Sequence, residues 1–213
     1  MVDRPIVVVR GEALREVPPE QAVFSVTVSA VHKERPVALS RLTERAAQVQ
    51  SVLDEQAGAI ERRETEGVHV SPYVRRGSDH VATYTAAVTT TVTVTDFTVL
   101  GDLLLRLGAL DDVSVSGPWW RLRPGSRAGA DVRKEAIADA LQRARDYAEA
   151  VGARVDRLLE IHDDGVGGVH PMARAMVAGV ESDSSLQLDA QLQTVQASVI
   201  LRVGITEPDL SAG

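Results

Sequence analysis

Hydrophobic and polar positions alternate along this chain in two periods, and the changes of period mark its elements. Between Ala22 and Val31, the residues Ala22, Phe24, Val26, Val28 and Ala30 share one parity, and Val23, Ser25, Thr27, Ser29 and Val31 share the other. A two-residue period of this kind predicts a strand. Pro36 to Ala57 reads in helical period instead. Leu39, Leu42, Ala46, Val49 and Leu53 recur at spacings of three and four, and Gly58 supplies a stop. Glu66 to Val74 returns to strand, with Pro72 pointing to an edge or a bulge. After "RRGSDH" comes the longest alternating run, "YTAAVTTTVTVTD". One parity there holds Tyr84, Ala86, Val88, Thr90, Val92 and Val94; the other holds Thr85, Ala87, Thr89, Thr91, Thr93 and Thr95. Asp96 is placed to cap the helix that follows, through "FTVLGDLLLRL" to Gly108, because its carboxylate can accept free N–H groups of a first turn.

Val113 to Arg123 reads as strand and contains "GPWW". Asp131 to Val151 is the strongest helix: Ala136, Ala140, Ala144 and Ala148 recur every four residues, a stripe small enough to let a helix lie close to a sheet. Gly152 ends it. Val155 to Ile161 reads as a short strand and Leu192 to Ile205 as a long closing one. At the start, Ile6 to Val9 reads as a short strand, with Gly11 and the Pro18-Pro19 pair as breakers. Residues 163–189 carry "DDGVGGVH" and "ESDSS" and read as a flexible insertion; structureless loops of that length are uncommon in compact domains, so the segment is either mobile or ordered by a partner. The expected fold is α+β: a mainly antiparallel sheet with helices packed on one face and a long C-terminal strand, in a single domain over residues 1–213. From Ala22 to Arg123 the order is β-α-β-β-α-β, the ferredoxin-like order. Several strands pair a branched apolar side with a small hydroxylated one, as expected where helices cover only one face of an antiparallel sheet.

Composition narrows the function classes. The chain has no cysteine, which excludes disulfides, thiolate metal sites and cysteine nucleophiles. A net charge of -7, with the basic pairs Arg62-Arg63 and Arg75-Arg76 set apart and interleaved with acids, argues against nucleic-acid binding. No window approaches the ~18 apolar residues of a membrane-spanning helix. The run Ile6 to Val9 is too short for the apolar part of a secretion signal, so the expected location is cytoplasmic.

Chemistry-bearing clusters are few. "EIHDD" offers Glu160, His162, Asp163 and Asp164 as weak metal candidates, with Glu160 and His162 on one face of a strand. The bland reading, a solvated strand end, is favoured because no second cluster accompanies it. "SDH" at Ser78 to His80 cannot form a catalytic triad, whose members meet in space and not as neighbours in sequence. "GVGG" at Gly165 to Gly168 lacks the spacing of a phosphate loop. No catalytic or cofactor-binding motif emerges, and no cofactor is expected. Trp119 and Trp120, the only tryptophans, face opposite ways in a regular strand, so one of them is a candidate interface anchor. Thr89, Thr91 and Thr93 are further interface candidates, on a face that either stays in water or meets another subunit.

Four segments taken in order resemble the SIMPL-domain family, a domain-of-unknown-function group of bacterial proteins. They are "VVVRGEALREVPPEQAVFSVTV", "YTAAVTTTVTVTDFTVLGDLL", "RKEAIADALQRARDYAEAVGARVDRLLEI" and "LQTVQASVILRVGI". The family includes periplasmic immunogenic and oxidative-stress-associated proteins, and some members form large ring-like oligomers. The resemblance therefore implies one α+β domain and self-association; together with the hydroxylated sheet face it makes the expected chain a non-enzymatic, self-associating domain with a stress- or envelope-related role. The implied partners are further copies of the chain; an unidentified protein is a further candidate. The alternative is a small-molecule or metal-binding protein, or an enzyme, that uses residues 163–189 as a lid.

Overall fold

The computed structural model describes residues 5–74, 81–170 and 186–209. Among them the strands are β1 (Ile6–Val17), β2 (Gln21–His32), β3 (Ile60–Val74), β4 (Val81–Val94), β5 (Val113–Arg121), β6 (Val155–His170) and β7 (Gln193–Ile205). The helices are α1 (Arg35–Glu55), α2 (Leu100–Gly108), entered through a 3-10 turn at Phe97–Val99, and α3 (Ala128–Ala150). The fold is α+β with antiparallel sheets. The sequence pattern suggested one sheet in one domain; the structure has two sheets, and its contacts divide the chain into two compact units.

The first unit takes residues 5–18, 122–170 and 191–209. Its sheet has the order β1-β7-β6. Val195, Ala197, Val199, Leu201 and Val203 of β7 form the buried floor under α3. The alanine stripe behaves as its spacing predicts: Val132, Ala136, Ala140 and Ala144 are fully buried against that floor. Gly11 is not a breaker. β1 runs through it to Val17, and a Cβ on Gly11 would lie 2.1 Å from the Ala136 carbonyl oxygen and 2.6 Å from the Ala140 Cβ. The glycine therefore allows an approach of strand to helix that any side chain would block. Next to it, the Glu12 N–H donates to Asp139 Oδ2 of α3 at 3.0 Å, which occupies an edge-strand donor. Gly152, at φ 68°, ends α3 in the left-handed region that favours glycine. β6 does not stop at Ile161 but continues to His170.

The second unit takes residues 19–74, 81–121 and 186–190. Its sheet order is β3-β4-β2-β5, with every pair antiparallel. Helices α1 and α2 lie on one face. Their Leu42, Val49, Leu53, Leu100, Leu103 and Leu107 pack in one buried cluster with Phe24, Val26, Val92 and Val94. The buried stripe of α1 starts at Ala38, and Leu39 is exposed. Asp96 caps as its position predicts: its Oδ1 accepts from the Thr98 N–H at 3.0 Å and from the Thr98 hydroxyl at 2.6 Å. Those bonds, the hydroxyl's first, hold its carboxyl below the usual value. Of residues 163–189, the first eight belong to β6, and residues 186–189 lie in the second unit. Leu188 packs against that unit's core, and the Leu186 carbonyl oxygen lies 2.0 Å from where a Gly101 Cβ would be. The remainder, 171–185, lies outside the described residues.

Candidate interaction surface

Strand parity and register together build the face of the four-stranded sheet opposite α1 and α2. Thr89 of β4 pairs with Thr27 of β2, which pairs with Ser114 of β5. One step along, Thr91 pairs with Ser25, which pairs with Ser116. The hydroxyls thus form two rows running across three strands. Between β2 and β4 they are bonded to one another: Thr27 Oγ1 lies 3.0 Å from Thr89 Oγ1, and Ser25 Oγ lies 3.2 Å from Thr91 Oγ1. The Thr91 hydroxyl donates to the Glu66 carboxylate on β3. A hydroxyl has one proton to give, so Ser25 must be the donor to Thr91, and the chain runs Ser25 to Thr91 to Glu66. Thr89 and Thr91 are half-buried where they stand. Thr93 shares their parity but is only 4% exposed, which removes it from the candidate contacts.

The corner of this face is set by a bulge in β5. Val23 pairs with Trp119 while Ser25 pairs with Ser116, so two residues of β5, Gly117 and Pro118, stand opposite Phe24 alone. One extra residue reverses the parity of everything after it. Val113 and Val115 pack against the core, yet Trp119, of the same parity by count, is 46% exposed on the hydroxylated side. Trp120 takes the core side instead, its ring 5.0 Å from Phe97 and edge-on at 76°. Trp120 is therefore a core residue and Trp119 the exposed one. The Gly117-Pro118 peptide is cis, and a Cβ on Gly117, at φ 116°, would come within 3.1 Å of the Phe24 Cα. The readable signal in the sequence was "GP" inside a strand, a combination confined to edges and bulges.

The metal candidates do not assemble. Glu160 and His162 share the outer side of β6, with Glu160 Oε1 2.7 Å from His162 Nε2, and Glu160 also lies 4.0 Å from Arg202. Asp163 stands opposite Val199, a floor residue, and so has the other parity. Asp164 pairs with Arg10 at 3.2 Å. Among the described residues no group of three His, Asp or Glu is arranged to hold a metal ion. Ser78, Asp79 and His80 lie outside the described residues, and Gly165 to Gly168 fall within β6. Among the described residues no histidine bonds any hydroxyl of the two rows; the one ionisable group bonded to them is the Glu66 carboxylate.

With this arrangement in view, comparison with known families is decisive on one point: the SIMPL family, described as protein of unknown function (DUF541), matches residues 7–203. The chain belongs to the SIMPL family. As a SIMPL protein it inherits no assigned activity from that description. No curated protein matches it. Among solved structures it is similar to an uncharacterized protein, TM1266, from Thermotoga maritima. The identity there is 21%, over 46% of this chain and 98% of that one, with a TM-score of 0.24, too slight a likeness to argue from. Among the described residues of this SIMPL chain no helix is long and apolar enough to cross a membrane.

Proposed function

We propose that this SIMPL chain is a non-enzymatic, self-associating domain whose contact face is the hydroxylated side of the β3-β4-β2-β5 sheet, with Trp119 at its corner. The β2-α1-β3-β4-α2-β5 succession supports this as a ferredoxin-like order, an arrangement that leaves one sheet face free of helices. The observation that carries it is the cross-strand pairing of Thr27 with Thr89 and of Ser25 with Thr91. Burying an unpaired hydroxyl costs about 1–3 kcal/mol, but hydroxyls already bonded to each other can lose water without that penalty. Threonine and serine also have little side-chain entropy to surrender. Four strands about 4.8 Å apart, taken over the 9 residues of the shortest, β5, give a face of roughly 19 by 30 Å. Its area is on the order of the ~800 Å² each partner contributes to a standard interface. The exposed Trp119 is the residue type enriched where such interfaces concentrate their energy.

Size exclusion with light scattering tests the proposal. The full chain at micromolar concentration is expected to run as a dimer or larger, and Trp119→Arg or Thr89→Arg to lower that mass. A strictly monomeric protein would overturn it.

A further inference from the structure

The opposite face of the same sheet holds a second feature, independent of self-association. Helix α1 packs on β2 and β4 and stops short of covering β3. A pocket of about 230 Å³ opens along that margin. Its floor is Val26, Val28 and Val88, and its helical wall is Ala46, Val49 and Leu53. One end is closed by Arg63 of β3, which donates to the Asp54 carboxylate and, at 2.6 Å, to the Leu53 carbonyl oxygen near the end of α1. The charge of Arg63 is thus matched by Asp54, and no net charge is left to attract an ion.

Three further lining groups are polar and neutral: Gln50, Thr65 and Thr90. Thr65 and Thr90 stand directly opposite each other across the β3–β4 ladder. Thr90 has the parity of the core valines, so its hydroxyl sits on the dry side of the strand. None of the three side chains has a hydrogen-bond partner among the described residues, and their polar atoms are not buried. Hydroxyls and an amide both donate and accept, so together they match a head group that does the same. For scale, a cavity of about 150 Å³ lined by apolar groups accommodates benzene.

We infer that this pocket binds a small uncharged amphipathic molecule: an apolar body of roughly benzene size on the valine floor, and an alcohol or amide head on Thr65, Thr90 and Gln50. The neutral pairing of Arg63 with Asp54 selects against a carboxylate of the same shape.

The test is a methyl-detected NMR titration of the full chain with 2-phenylethanol, alongside phenylacetate. The expected result is saturable shifts at the methyls of Val26, Val28, Val88 and Ala46, with phenylacetate clearly weaker. Ala46→Phe fills the pocket and should abolish binding. Should that variant fold poorly, Thr90→Val keeps the shape, removes one hydroxyl and should weaken 2-phenylethanol about threefold to tenfold. No shift at those methyls at any concentration overturns the inference. So does affinity unchanged by both variants, or phenylacetate binding as tightly as the alcohol.

Discussion

The two units put helices on antiparallel sheets by opposite means. In the first, α3 presents alanines and β1 presents Gly11, so backbone nearly meets backbone: the Ala136 carbonyl oxygen occupies the space a Gly11 Cβ would need. In the second, α1 and α2 present leucines and valines, which stand off the sheet by the length of their side chains. The small-residue seam buries less apolar surface per helical residue. It offsets this with dense van der Waals contact and with the Glu12 to Asp139 bond. The large-residue seam buries more, but its cover stops short of β3, and a pocket of about 230 Å³ opens along the side of α1. A seam without side chains between its backbones has no slack; a seam filled by branched side chains has slack at its border.

The largest expected effect tests that contrast directly. Gly11→Leu forces a side chain into the Ala136 carbonyl and must displace α3. Its cost should exceed the ~3 kcal/mol of ordinary overpacking. Ala46→Leu, an enlargement at the pocket margin of the second unit, should change stability by under ~1 kcal/mol, because its added atoms enter open space. Urea unfolding of both variants measures the difference. Equal costs would end the comparison.

A smaller effect sharpens it. Asp139 is held below its ordinary value of 3.8, first by the Glu12 N–H and further by Arg143, whose Nε lies 3.0 Å away. A lowered carboxyl stabilises the fold when ionised. Its contribution is therefore fully present above 3.8 and is lost as pH falls through the lowered value. Asp139→Ala should cost about 1 kcal/mol at neutral pH, given how exposed the group is. Thermal melts should show the gap between parent and variant closing below about pH 4. A gap that stays constant down to pH 3 would mean that the seam is held by shape alone.

Period and parity made much of this architecture legible. The α3 stripe, the Asp96 cap, the helix over α1 and the threonine parity are local facts, written within a few residues of one another. What escaped was non-local. Gly11 reads as a breaker unless one knows that α3 lies on it, more than a hundred residues later in the chain. Trp119 and Trp120 cannot be assigned to faces until the register of β5 on β2 reveals the extra residue at Gly117-Pro118. Thr93 has the parity of a surface residue and is buried all the same, because parity gives direction and not cover. For the same reason Thr90, counted with the dry face, turns out to line a pocket.

The smallest effect concerns the faces that carry no helix, where the two units differ again. The outer side of β1 and β7 is tied by charge: Arg10 reaches Glu12 at 2.9 Å, Asp164 at 3.2 Å and the Ser198 hydroxyl at 2.8 Å. The outer side of β4 and β2 is tied by neutral hydroxyls, Thr27 with Thr89 and Ser25 with Thr91. At 1 M salt the screening length falls to about 3 Å, which weakens exposed ion pairs, whereas a hydroxyl pair has no net charge to screen. A double-mutant cycle of Thr27→Val and Thr89→Val should yield a coupling of about 0.2–1 kcal/mol, the usual worth of a cross-strand pair. Measured by urea unfolding in dilute buffer and again in 1 M salt, that coupling should be the same. The cost of Arg10→Ala should shrink over the same change. A hydroxyl coupling that falls with salt would show that it draws on the Glu66 carboxylate bonded to neighbouring Thr91, and the neutral face would then be a charged one extended through its hydroxyls.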